Sequence, residues 1–470
     1  MSTKNRNHIF VFDVGSTNIR AACINTDRDI EWSATTTQFY DFGTPYLHQQ
    51  VDNIFAWLLD ALREAAARFA IERIIPCTHG SSAVLVGDVA EVLPMMGYEA
   101  EPPSGIAAAY AEVAPPFDEV FAPINPAGLT LGRQLLWQQE THAAAFARAR
   151  HLLTYPQYWA WRLTGVAASE VTSIGAQTHL WDPIARQPSS LARRMGWDRL
   201  MPPFRNAWDV LGPLRPHIAA TAGLPADTPV HCGIHDSNAN LLRYLGLGDR
   251  RWTLLSTGTW LITFNPSRDL TLLDPRRDTV SNTNVFGEPV ASSRFMAGRE
   301  LALVAGDALS ATAGEAELAA VLGSGAMALP SFTDSGGPVP GSGGKGRIVG
   351  GEPLTPPQRK ALALLYVALM SSESLDAVGA ERRLIVDGPF AMEPLYGRLL
   401  AALRPGSEVL LSQARDGTTL GAALLPRCAT NDLPPPTGLA QAEATAVDGL
   451  LAHAGVWKRA LGADAMGATA

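Results

Sequence analysis

Hydrophobic positions follow one outline in two separate parts of the chain. Between residues 8 and 37, apolar runs broken by polar turns predict three β-strands, with turns at Gly15-Ser16-Thr17 and near Asn25-Thr26-Asp27. From Arg251 the outline repeats: an apolar strand over 252–255, the turn Ser256-Thr257-Gly258-Thr259, and a second strand over 260–264. Neither turn opens a helix, which excludes the Walker and Rossmann phosphate loops. A turn of small residues between two strands exposes backbone N–H groups and hydroxyls, and such concavities bind anions. Two of them, one in each half, predict a grip on a polyphosphate.

Elsewhere the pattern takes a helical period. Ile54, Leu58, Leu59, Leu62 and Ala66 mark a helix over 53–70. Residues 74–77 read as a buried strand ending at Thr78-His79-Gly80-Ser81-Ser82. Residues 100–133 read as irregular and 137–163 as mostly helical, with Gly165 closing the helix. A strand over 230–233 leads through His235-Asp236 into a helix ending at Leu245. Residues 331–352 form a glycine-dense stretch, expected to be a mobile surface loop. A helix over 355–378 begins with Pro356-Pro357. A strand at 384–388, a helix at 393–403, a strand at 409–411, a buried helix over 417–425 and a helical tail over 439–470 follow. The alternation predicts an α/β protein with two domains, 1–247 and 248–470.

Composition narrows the class. The chain has 470 residues, 47% hydrophobic and 17% charged, a globular balance that calls for more than one core. A formal net charge of −8 argues against non-specific nucleic-acid binding. The four cysteines, Cys23, Cys77, Cys232 and Cys428, are dispersed and form no CxxC pair, which disfavours structural zinc and disulfides and fits a reducing compartment. With a polar start and no apolar run long enough to span a membrane, the expectation is a cytoplasmic protein without a membrane partner.

The candidate chemistry lies at the ends of strands. Asp13 precedes the first turn. It reads either as a turn cap or as a carboxylate that positions Mg²⁺ through water beside phosphates. Asp236 reads either as a helix N-cap or as a base that accepts a proton from an attacking hydroxyl. His235 reads as a substrate contact or an ordinary polar residue, and His79 and Gly80 as polyol-pocket residues or polar loop. Thr257, Gly258 and Thr259 read as a phosphate turn or a plain hairpin. Gly388 and Gly421 read as points of nucleotide approach or of close packing.

Taken in order, these segments resemble the FGGY carbohydrate kinase family. Asp13-Val14-Gly15-Ser16-Thr17-Asn18-Ile19-Arg20 is similar to its first phosphate motif. Residues 155–165 are similar to its first-domain signature, with Gln157 where the family usually has Asp. Gly233-Ile234-His235-Asp236 resembles the segment that carries the base, Ser256-Thr257-Gly258-Thr259-Trp260 the second phosphate motif, and residues 384–425 the adenosine region. In that last region Asp387-Gly388-Pro389 replaces the family's longer glycine run.

The resemblance implies a two-domain sugar kinase/actin/Hsp70 (ribonuclease H-like) ATPase fold with an interdomain cleft. It implies ATP and Mg²⁺ as cofactors, with Asp13, Gly15, Ser16, Thr17, Asn18, Thr257, Gly258, Thr259, Gly388 and Gly421 around the nucleotide. It implies Asp236 as general base, and a sugar near His79, Gly80, His235, Asp236 and Asn284. A His before the Asp is closer to rhamnulose and fuculose kinases than to xylulose kinases, so the expected acceptor is a 6-deoxy-ketohexose. Another ketose or polyol such as xylulose or ribulose, or a non-catalytic ATP- or sugar-binding regulator, is the alternative. A homodimer is compatible with these expectations.

Overall fold

The computed structural model describes residues 7–334, 337–351 and 353–467. Contacts divide it into two compact units. The first contains residues up to Gly246 together with Ser281–Pro289 and Gly417–Pro435; the second contains Leu247–Val280, Val290–Asp416 and the remainder from Pro436. Asn284 and Gly421 therefore lie in the first unit, although the sequence split assigns them to 248–470.

The first unit is built on a sheet of β1 (Asn7–Val14), β2 (Asn18–Ile24), β3 (Ile30–Thr37), β4 (Ala70–Thr78), β5 (Val210–Pro213), β6 (Pro229–His231) and β7 (Ile234–His235). The order is β5-β6-β4-β1-β2-β3, with β7 also paired to β4. β1, β2 and β3 form an antiparallel meander, while β4 runs parallel to β1 and both β6 and β7 run parallel to β4. Alternation in β1 sends Phe10, Phe12 and Val14 to one face, against Leu58 and Leu62 of the helix Val51–Arg68. Val11 goes to the other face, against Ala239 and Leu242 of the helix Asp236–Leu245.

The second unit carries β8 (Trp252–Thr257), β9 (Leu261–Asn265), β10 (Pro289–Phe295), β11 (Arg383–Asp387), β12 (Glu408–Ser412) and β13 (Leu439–Gln441), in the order β10-β9-β8-β11-β12-β13, with the strand Thr279–Thr283 at the edge beyond β10. Again β8, β9 and β10 form an antiparallel meander, extended beyond β8 by the parallel strands β11 and β12 and then by β13, which is antiparallel to β12. Its core is filled by the helix Pro356–Ala377, which Pro356 opens and at whose start Thr355 N donates to Gln358 Oε1 at 2.9 Å.

Four expectations change. The helix expected over 137–163 is broken into Leu131–Thr141, Ala143–Phe146, the strand His151–Thr154 and the helix Tyr155–Thr164. Pro156 explains the last boundary, because a residue without an N–H fits a helix only in its first turn. Gly165 does close that helix, at φ 88°. The stretch read as irregular contains the helix Ser104–Val113. The glycine-dense stretch is anchored: strands Met327–Leu329 and Arg347–Val349 pair at its ends. Within it, Phe332 N, Thr333 N and Thr333 Oγ1 donate to the buried carboxylate of Glu300, in the helix Ala297–Ala305. The tail is helical over Leu450–Gly467 but begins as β13, and residues 468–470 lie outside the described residues.

Candidate active site

Three parallel strands end side by side in the first unit. Asp13 pairs with Cys77 and Val14 with Thr78, while His235 pairs with Thr78 from the other side. Asp13, the Thr78-His79 segment and Asp236 thus share the carboxyl edge of the sheet, the edge at which open α/β sheets bind ligands. Asp13 is partly exposed, and its Oδ2 accepts from Thr419 Oγ1 at 3.1 Å. The turn beyond it is closed by Gly15 N–H to Asn18 O at 2.9 Å. Gln38 Nε2 donates to Gly15 O at 2.9 Å and Tyr40 Oη to Ser16 O at 3.1 Å, while Thr17 and Asn18 are exposed. A single carboxylate beside hydroxyls and backbone is an all-oxygen donor set, which suits a Mg²⁺ held mainly by phosphates and waters.

Asp236 is the first residue of its helix, and its side chain keeps 27% of its exposure. Oδ1 accepts from Ser237 N at 2.5 Å, Ser237 Oγ at 3.1 Å and His235 Nε2 at 3.2 Å, so Oδ2 is the oxygen without a partner among the described residues. The amide of Asn238 donates to Thr172 O at 3.4 Å and to His235 Nδ1 at 3.1 Å. With Nδ1 accepting, the ring proton sits on Nε2 and points at Asp236. Burial pushes the His235 pKa down, against the pull of Asp236, so the ring is neutral at pH 7. A Cβ on Gly80 would lie 2.8 Å from His235 Nε2, so the bare glycine leaves room for the imidazole.

His79 is buried and its pKa is likewise lowered, chiefly by burial. Its Nδ1 donates to Gly80 O at 2.8 Å, which leaves Nε2 to accept from Gln49 Nε2 at 3.2 Å. Gln49 Oε1 is buried with no partner among the described residues. Tyr98 and Tyr155 meet the His79 ring edge-on at 5.3 Å and 5.1 Å. Asn284 is elsewhere occupied: its Oδ1 accepts from Phe286 N and Glu288 N, and its Nδ2 donates to Glu288 Oε2. Gly421 serves close packing, since a Cβ there would fall 1.8 Å from Ala239 O.

In the second unit, Ser256 pairs with Asp387 at the ends of β8 and β11. Thr257 Oγ1 donates to Asp387 O at 2.6 Å and accepts from Phe390 N at 3.1 Å. Gly388 has φ 90°, and a Cβ there would fall 2.0 Å from Thr257 O. Gly298, in the first turn of the helix Ala297–Ala305, donates to Thr259 O at 3.2 Å, and a Cβ on it would meet Gly258 O at 2.5 Å. Gly258 itself has open space, where a Cβ would meet only Trp260 O at 3.8 Å, and Thr259 is exposed.

Sequence reasoning missed Gln49, Thr172, Asn238, Gly298 and Thr419. Asn238 stands three residues beyond His235 on a helix and was open to inference from that spacing. The others arrive from distant segments with no local signal.

Comparison with known proteins agrees with the strand order. The chain superposes on a ligand-bound xylulose kinase from Lactobacillus acidophilus with a TM-score of 0.79 at 13% identity over 97% of this chain and 96% of that one, a likeness of fold. It therefore has the two-domain α/β fold found in sugar kinases. A carbohydrate kinase from Novosphingobium aromaticivorans is 33% identical, with a TM-score of 0.87 over 97% of this chain and 99% of that one. Residues 126–242 match the N-terminal domain of the FGGY family of carbohydrate kinases and 249–435 the carbohydrate kinase FGGY C-terminal domain. The chain belongs to the FGGY carbohydrate kinase family. An L-fuculokinase of Salmonella typhi is 26% identical over 269 residues, and the chain spans about half the length of that relative, 55%. Among the described residues no helix is long and apolar enough to cross a membrane.

Proposed function

We propose that the protein transfers the γ-phosphoryl group of ATP to a hydroxyl of a ketose, with Asp236 as general base. The observation that carries this reading is the pair of carboxylates, Asp13 and Asp236, at the ends of the two strands that flank β4, with one oxygen of Asp236 unengaged. Asp236 Oδ2 takes the proton of the sugar hydroxyl as its oxygen bonds to phosphorus, and the bond to the bridging oxygen of ADP breaks. His235 donates to Oδ1 and holds the carboxylate in one orientation. Gln49 and His79 supply polar atoms of the kind that bind a polyol. The turns at Gly15 and Gly258 offer N–H groups to phosphate oxygens. Bound Mg²⁺, held through Asp13 and waters, would neutralise phosphate charge. The likeness to L-fuculokinases and the His-Asp pair support a 6-deoxy-ketohexose as acceptor, and xylulose and ribulose belong in the same panel.

The test is ADP release with ATP, Mg²⁺ and a panel of ketoses and polyols. We expect sugar-stimulated turnover, with Asp236→Asn slower by about 1,000-fold or more. Full activity in Asp236→Asn, or thermal stabilisation by sugar without turnover in the wild type, overturns the reading.

A further inference from the structure

The FGGY resemblance leaves Gln157 as a departure, and the structure gives that departure a use. Gln157 lies in the helix Tyr155–Thr164 with no exposure at all. Its Oε1 accepts from Thr154 Oγ1. Its Nε2 donates to Cys232 O at 3.1 Å and to Gly233 O at 3.2 Å, one hydrogen to each carbonyl. These carbonyls belong to the bend between β6 and β7, just ahead of His235 and Asp236. The bend is tight: Gly233 has φ 91°, and a Cβ on it would fall 2.6 Å from Pro76 O.

The same segment is held from its other side. His235 N–H donates to Thr172 Oγ1 at 3.1 Å, and that hydroxyl donates to the buried carboxylate of Glu170 at 2.6 Å. The backbone leading to Asp236 is thus gripped by its carbonyls through Gln157 and by its N–H through Thr172. A carboxylate at position 157 has no hydrogens for the two carbonyls and would repel both.

We infer that Gln157 is a positioning residue for the His235–Asp236 pair, acting through the carbonyls of Cys232 and Gly233. This rests on Asp236 being the base. Remote displacements of about 1 Å cost on the order of 100-fold in rate, so the clamp acts on kcat rather than on nucleotide binding.

The test uses the full chain and Gln157→Glu, which keeps size and removes both donors. At pH 8 we expect kcat to fall by about 100-fold, with the KM for ATP within about twofold of wild type. A carboxyl group buried against two carbonyls takes up a proton readily, and one O–H then restores one bond. The ratio of variant to wild-type kcat therefore rises as pH is lowered from 8 to 6, at temperatures where both remain folded. Gln157→Met, neutral and of similar length, serves if the Glu variant does not fold. It is expected to lose about tenfold in kcat with no pH-dependent recovery. Wild-type kcat in Gln157→Glu or, where that does not fold, in Gln157→Met overturns the inference. So does a loss that follows melting temperature and raises the KM for ATP in parallel. If Asp236→Asn is itself fully active, the base assignment has failed. A dead Asp236→Asn beside an unimpaired Gln157→Glu refutes only the clamp.

Discussion

The turn after β1 and the turn after β8 occupy the same place in two sheets that share a strand order over six strands, yet different atoms build them. Ahead of the first stands a carboxylate, Asp13, and its carbonyls at Gly15 and Ser16 are tied back by Gln38 and Tyr40. The second has no carboxylate in the turn. Its hydroxyl, Thr257 Oγ1, is locked to Asp387 O and Phe390 N, and glycines at 298 and 388 let two other segments press against it. The first turn offers a charge that can hold a cation; the second offers backbone donors in a crowded frame. A duplicated strand plan has thus been given two chemistries by the residues at its tips.

The contrast is broken most directly at Asp13. Asp13→Asn keeps an oxygen for Thr419 Oγ1, so folding stability is expected within about 0.5 kcal/mol of wild type. It removes the charge. We expect kcat to drop about 1,000-fold, about 4 kcal/mol of transition-state stabilisation, with a higher Mg²⁺ concentration needed for half-maximal rate. Titrating Mg²⁺ against rate checks this, and an unchanged titration would remove the proposed charge role from the first turn.

The crowding of the second turn predicts opposite results for two neighbouring glycines. Gly388→Ala places a Cβ 2.0 Å from Thr257 O at φ 90°, where neither backbone can yield cheaply. A loss of about 3 kcal/mol in unfolding free energy is expected by denaturant titration. Gly258→Ala meets only Trp260 O at 3.8 Å and is expected to fold like wild type. Its methyl group would crowd the face offered to phosphate and raise the KM for ATP. Equal stabilities for the two variants would show that the glycines do not carry the frame.

Much of this was legible in the chain. Strands with period-two burial, Pro-opened helices and the two strand–turn–strand units are local signals, and they set both sheets. Asp13 and Asp236 were visible because each follows an apolar strand. What was not legible depends on distance along the chain. Thr419 reaches Asp13 from 406 residues away, and Glu300 pins a glycine-rich loop that its composition alone reads as mobile. The same loop length and glycine content describe a free loop and a fastened one; only the buried acceptor decides. Asn284 shows the converse: its side chain bonds Phe286 and Glu288 within its own turn, a local use that its residue type does not reveal.

Each unit also buries a carboxylate among several donors, and these differ as the turns do. Glu300 draws its donors from residues 32 to 66 positions away, whereas Glu170 takes all of its own from Thr172 and Ser173. Local donors do not offset the cost of burial at Glu170. Burial raises its pKa from 4.5 to about 7, with the hydrogen bonds pulling the other way. The folded state therefore holds this proton longer than the unfolded chain. Its contribution to stability is present in full below about pH 4.5 and is lost as pH rises through about 7, amounting to about 1 kcal/mol between pH 6 and pH 7. The buried His79, His179, His231 and His235 run in the opposite sense. Their pKa values are lowered by burial, so their contribution is present above pH 6.5 and is lost as pH falls. Subtracting the unfolding free energy of Glu170→Gln from that of wild type at each pH removes the histidines from the comparison. The difference is expected to fall by about 1 kcal/mol from pH 6 to pH 7. A difference that stays flat would mean that Glu170 is ionised throughout, and that four short-range donors stabilise a buried charge as fully as water does.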